Sequence, residues 1–225
     1  MSRTVKDYEK RRAEILTTAQ ALFFSKGYET TTVQEIIDAV GIAKGTFYHY
    51  FDSKVDLLDA LIEDMVAQSL ARAEVIQADE TLDAAQKLER LFSEIEGWKT
   101  DNREFFLSML RTWYSDENAI VRFKLTLQAT RAMRPIFSKI VSQGVDDDVF
   151  HTPYPERISE VILDLLQSTS EEIALILIGL LPEEDSLGCL EEKLAVSHYA
   201  INLLLGAQPG TVQIHNLDRW RLWLE

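Results

Sequence analysis

The sequence predicts an all-α protein, with a helix-turn-helix domain over residues 1–55 and a larger helical domain over 56–225. Three observations carry the prediction. Apolar residues recur at helical spacing almost throughout, with no strand pattern and no internal repeat. Two short helical stretches meet at Gly41, the first opened by a capping signal. Charge is unevenly divided: residues 1–55 hold 8 Lys and Arg against 7 Asp and Glu, whereas 56–225 hold 15 against 30.

The elements follow in order. Ile15, Ala19, Leu22 and Phe23 mark one face of a first helix over residues 7–26, which Gly27 stops. Thr32-Val33-Gln34-Glu35 is a capping box, in which the hydroxyl takes a free backbone N–H and the carboxylate reaches back. Behind it Val33, Ile36, Ile37 and Val40 form the inner face of a second helix of eight residues, ending at Gly41. A third short helix fits 43–51, with Ile42 at its entry and Phe47 and Phe51 inward. Ser53-Lys54-Val55-Asp56 repeats the capping pattern and opens a fourth helix to about Val75. Longer helices are expected over 81–98, 103–115, 118–143, 155–180 and 187–206, with turn signals between them.

Composition narrows the class. A chain of 225 residues that is 46% apolar and 27% charged is globular, not disordered or collagenous. Its one cysteine, Cys189, excludes an internal disulfide and a multi-cysteine zinc site. The opening MSRTVKDYEKRR has no apolar run behind it, and the longest such run, 173–181, is far short of the ~20 residues of a spanning helix. A cytoplasmic protein without a membrane partner is expected. The net charge of −14 opposes nucleic acid on average, yet the division of charge leaves the first domain free to meet it.

The third helix has a second face. Lys44, Gly45, Tyr48 and His49 point away from Phe47 and Phe51, presenting one charge, two rings with polar tips and a glycine that admits close approach. Such a face suits the major groove, where base edges offer donors, acceptors and thymine methyls. Helix N-termini at Thr32 and Ser53 offer N–H groups to phosphates. Arg3, Lys6, Lys10, Arg11 and Arg12 make a basic arm that either reaches DNA or is a solvated tail.

The run TVQEIIDAVGIAKGTFYHYFDSKVDLL, and GTFYHYFDSK above all, resembles the DNA-binding domain of the TetR family of transcriptional repressors over about residues 11–66. The resemblance implies that Lys44, Gly45, Thr46 and Tyr48 approach bases, while Thr32, His49, Tyr50 and Lys54 hold phosphates. Ala43 departs from the family's usual Ser and leaves the third helix without a capping hydroxyl. Ile37 and Val40 stand where alanines are usual.

The remaining residues are expected to dimerise and regulate this reader, since major-groove readers work as two-fold dimers on paired half-sites. Leu187, Leu190, Leu194, Ser197, Ile201 and Leu204 form a narrow seam, and the preceding helix carries Ile158, Ile162 and Leu165 on one of several apolar faces. These two helices resemble the pair with which the family builds a homodimer. Trp98, Phe105, Phe106, Met109, Leu110, Trp113, Tyr114 and Phe123 cluster where the family encloses a small-molecule effector; plain core is the other reading of such a stripe. Asp146, Asp147 and Asp148 lack the spacing of a calcium loop, and no metal or cofactor is expected. Leu217, Trp220 and Leu224 suggest a short terminal helix that docks on the body.

The function expected is a ligand-responsive repressor that binds a palindromic DNA operator as a homodimer. A helical enzyme is the first alternative, with His151 or Cys189 as suspects. No nucleophile–base pair, metal spacing or phosphate loop supports it. The second is a helical interaction module or small-molecule-binding protein that does not read DNA.

Overall fold

The computed structural model describes residues 3–101, 107, 110–181 and 186–214, with backbone alone at 3–6, 94–101 and 186–187. Every described regular element is helical. In chain order they are α1 (Arg3–Lys26), α2 (Val33–Val40), α3 (Lys44–Tyr50), α4 (Lys54–Ala78), α5 (Ala84–Asp101), a 3-10 turn (Asp116–Asn118), α6 (Ala119–Asp146), α7 (Pro155–Leu177) and α8 (Ser186–Leu205). Residues 110–113 are also helical. The expected helix over 103–115 and the terminal helix of Leu217, Trp220 and Leu224 lie mostly or wholly outside the described residues.

Local chemistry sets most boundaries. Thr32 caps α2 from an extended backbone, and its hydroxyl accepts the Glu35 N–H at 3.2 Å while the Glu35 carboxylate accepts the Thr32 N–H at 2.8 Å. Gly41 ends α2 in the left-handed region, φ 74°, and its N–H donates to Ile37. At α4 the Ser53 hydroxyl accepts the Asp56 N–H at 3.1 Å, and Asp56 accepts the Asp52 N–H at 3.0 Å. Several boundaries differ by three or four residues from those the sequence predicts. Helix α1 starts at Arg3 rather than residue 7, and α6 runs through Gly144 to Asp146. Gly144 does not stop its helix; it makes room for Phe150, whose ring would lie 2.1 Å from a Cβ there.

The chain forms two compact units. The first comprises Met1–Gln68 and Ser108–Ala129, the second Ser69–Leu107 and Thr130–Glu225. The first is centred on Ile15, Phe23, Ile36, Phe47, Leu57 and Ile62, all buried, and Val121 of α6 joins that core. The second is centred on Leu88, Phe137, Ile140, Phe150, Ile162 and Ile201. Helices α4 and α6 each contribute residues to both units.

The residues of the expected dimer seam differ in exposure. Ile162, Leu190, Leu194, Ser197 and Ile201 are buried within their own chain, and Ile158, Leu165 and Leu204 pack against the second core. Five of the eight residues expected at the dimer interface thus lie inside their own chain, and the other three are half-buried. What α7 and α8 leave in solvent is a different set: Val161, Val196, Tyr199 and Leu203, the last two each 65% exposed. Among the described residues no helix is long and apolar enough to cross a membrane, and no group of three His, Cys, Asp or Glu is placed to hold a metal.

Candidate nucleic-acid interface

Helix α3 is seven residues long and two-faced. Phe47 and Phe51 are buried, with ring centroids 5.9 Å apart, and fix the helix to the first core. Lys44, Gly45, Tyr48 and His49 are exposed on the other side, and Thr46 is half-buried. Ala43, at the N-cap, makes no side-chain hydrogen bond. Gly45 is the anomaly: a Cβ there would meet nothing within 4 Å. Glycine is a poorer helix former than alanine, less so in the first turn, where Gly45 stands, than in the middle, and no neighbour in the protein requires it.

At the start of α2, Thr32 is exposed beside a charged support. The Glu35 carboxyl is held down at about 2, by its bond from the Lys26 ammonium first and then by the backbone N–H and hydroxyl of Thr32. The residue is therefore an anion at any physiological pH, and the capping box stays closed.

His49 and Tyr50 are not free of the protein. Tyr8 of α1 lies 4.6 Å from the Tyr50 ring and 5.9 Å from His49, and the His49 and Tyr50 rings are 5.2 Å apart. One turn further along α1, the Arg12 guanidinium sits 5.6 Å from the Phe51 ring centre. Tyr8 is absent from the residues picked out in the sequence. Its signal was available, because Tyr8, Arg12, Ile15 and Ala19 share one helical stripe at spacings of four, three and four.

Lys54 is placed differently from the expectation of a phosphate contact. Its ammonium donates to the carbonyls of Tyr28 at 2.9 Å, Glu29 at 3.3 Å and Thr31 at 3.1 Å, and it lies 4.2 Å from the Tyr28 ring centre. An ammonium has three protons, and these bonds occupy all three. Burial, then the Glu29 and Asp59 carboxylates, push the Tyr28 hydroxyl above its ordinary pKa, so the ring stays neutral under the cation.

The aromatic stripe expected to line a pocket divides. Phe105, Phe106 and Met109 lie outside the described residues, as does the side chain of Trp98. Leu110 is buried, and Trp113 stacks on Phe24 of α1 at 5.5 Å. Arg122 covers the Tyr114 ring at 5.0 Å and donates to the Trp113 carbonyl at 2.6 Å. Phe123 is 64% exposed. Trp113 thus packs on the core of the first unit, and Phe123 faces solvent rather than closing over a cavity.

Comparison with known proteins agrees with this organisation. Residues 15–61 match the model of bacterial regulatory proteins of the tetR family, and residues 107–172 match that of the tetracyclin repressor-like C-terminal domain. The HTH-type transcriptional repressor KstR2 of Mycobacterium tuberculosis is 28% identical over 175 residues, covering 76% of this chain and 82% of the relative. Two solved structures share the fold at lower identity. The SmeT–triclosan complex has a TM-score of 0.64 at 15% identity, covering 92% of this chain and 98% of that one. A TetR-family transcriptional regulator of Pectobacterium atrosepticum has a TM-score of 0.59 at 20% identity, covering 93% of this chain and 100% of that one. The first matched segment contains α2 and α3, and the second contains α6 and most of α7. The chain belongs to the TetR family of bacterial regulatory proteins, as a DNA-binding transcriptional regulator rather than an enzyme.

Proposed function

We propose that the chain is a cytoplasmic repressor that binds a palindromic operator as a homodimer and is released by a small effector. The observation that carries the reading is Gly45: a glycine in the first turn of α3 that no contact inside the protein requires, on a face shared with Lys44 and Tyr48. A groove edge pressed against that face would supply the missing reason. Lys44, Gly45, Thr46 and Tyr48 are assigned to bases, and Thr32, His49 and Tyr50 to phosphates. Lys54 is assigned to holding the turn before α2, because its donors are already occupied.

Residues 1–55 carry the DNA-reading role in this proposal, and 56–225 the dimerising and effector-binding roles. Val161, Val196, Tyr199 and Leu203 are the dimer-forming residues, because an exposed apolar stripe of this kind wants a partner. Support for the repressor sign comes from the relative's name, and support for a small effector from the triclosan held by the structural neighbour. An effector that prefers a dimer with wrongly spaced readers would lower operator affinity by its differential affinity for the two states.

Selection from random duplex DNA tests the reading. A recovered palindrome, with affinity that falls steeply with salt, is the expected result. Lys44→Ala and Tyr48→Ala should each weaken binding to that duplex while helicity is retained. No enrichment at low salt would overturn DNA reading, and wild-type binding by both variants would overturn the assigned face.

A further inference from the structure

The turn between α1 and α2 is held from two sides by residues distant in sequence. Lys54 takes its carbonyls, those of Tyr28, Glu29 and Thr31. Its amides are taken by the 3-10 turn at 116–118. Tyr28 N–H donates to Asn118 Oδ1 at 2.9 Å, and Glu29 N–H donates to the Glu117 carbonyl at 3.1 Å. The Asn118 amide nitrogen donates in turn to the carbonyls of Phe23 at 3.1 Å and Thr112 at 3.0 Å. Asn118 is 1% exposed, and its acceptor and both of its donors are engaged.

At Gly27 there is no room for a side chain beside the 3-10 turn. A Cβ on Gly27 would stand 2.7 Å from the Glu117 Cβ, and Gly27 has φ +95°. The segment is fixed to the same unit at two further points. Trp113 stacks on Phe24, and Lys124 pairs with Asp59 of α4. Asn118 immediately precedes α6, a helix of 28 residues whose far half belongs to the second unit.

We propose that Asn118 is a positioning residue for DNA reading: it fixes the α1–α2 turn, and with it Thr32 and the N-terminal end of α2, from the head of α6. The proposal rests on the reading of α2 and α3 as the DNA-contacting face. It adds a determinant of operator affinity far outside the helix-turn-helix, in a residue that touches no DNA.

The test uses the full-length chain, the duplex recovered by selection, and two variants: Asn118→Ala, and Val121→Ala as a control. Val121 is also buried in the first core but lies outside the hydrogen-bond network. Operator affinity is titrated below the unfolding transition of both, and amide hydrogen exchange is followed in the free proteins. Asn118→Ala is expected to speed exchange at Tyr28 and Glu29 and to weaken the duplex about tenfold, as removing the partner of a buried backbone donor does. Val121→Ala should do neither.

Equal affinity for wild type and Asn118→Ala would overturn the proposal while leaving DNA reading intact. Equal loss in both variants would reduce Asn118 to a stability role and also overturn it. A wild type that binds no selected duplex would instead overturn the reading beneath it. Should Asn118→Ala fail to fold, the wild type decides. Binding the duplex must slow exchange at Tyr28 and Glu29, and unchanged exchange there overturns the proposal.

Discussion

Gly45 lies in the first turn of α3 and Gly144 in the last turn of α6, and their surroundings are opposite. At Gly144 a methyl group would lie 2.1 Å from the Phe150 ring, and the N–H groups of Val149 and Phe150 both donate to the Gly144 carbonyl at 2.8 Å. The fold closes on that glycine. At Gly45 a methyl group would enter open space. The first glycine is explained by the protein, while the second points to something outside it. The same contrast runs along α8, where Leu194 is fully buried in its own chain and Leu203 stands in solvent.

Substitution can break or sharpen that comparison. Gly144→Ala should have the largest effect, a loss of about 3 kcal/mol of folding stability, because the ring must leave its site. Guanidinium unfolding would show it; an unchanged midpoint would mean that Phe150 moves freely. Leu203→Asp should leave the monomer folded and weaken the proposed dimer by about 2 kcal/mol, as loss of an interface hot spot does. Sedimentation at several concentrations measures this, and an unaltered dimer would remove the exposed stripe from the interface. Gly45→Ala should raise folding stability by up to about 0.5 kcal/mol and yet lower operator affinity. Opposite signs in one variant are the sharpest mark of an external cause, and tighter DNA binding would cancel it.

The smallest effect is one of pH. Glu35 is depressed from 4.5 to about 2 by Lys26 and Thr32. Its contribution is complete above the unfolded value and is lost as pH falls from about 4.5 through about 2. Wild type should lose stability over that interval more steeply than Glu35→Gln. Identical slopes in acid titrations of the two proteins would show that the Lys26 and Thr32 bonds do not hold in solution.

What the sequence made legible was local. Thr32 and Glu35 are three residues apart, and Phe47 and Phe51 four, so caps and faces of α2 and α3 follow from helical geometry alone. Lys54 was legible as a motif position but not as a clamp, since its partners lie 23–26 residues back. Asn118 was invisible because its key contacts span 90 and 95 residues and nothing in its neighbourhood announces them. The Leu190–Leu204 seam teaches a narrower point. Periodicity reports that a stripe is buried but is silent on which chain buries it, and here the same chain does so. The contact of Trp113 with Phe24 was hidden for a related reason, as an aromatic stripe looks alike whether it meets a ligand or another ring of the protein.

The reading unit is discontinuous in sequence, and this bears on how the protein is made. Residues 1–68 leave the ribosome first, but Asn118, Trp113 and Val121 belong to the same unit and follow later. At about 5–20 residues per second, several seconds separate the last helix-turn-helix residue from the segment that completes its core. During that interval the amides of Tyr28 and Glu29 lack their final acceptors, and Phe24 lacks the ring that stacks on it. A nascent chain therefore gains a finished DNA-reading unit only after the first half of α6 has emerged, so assembly of the reader waits on synthesis of the body.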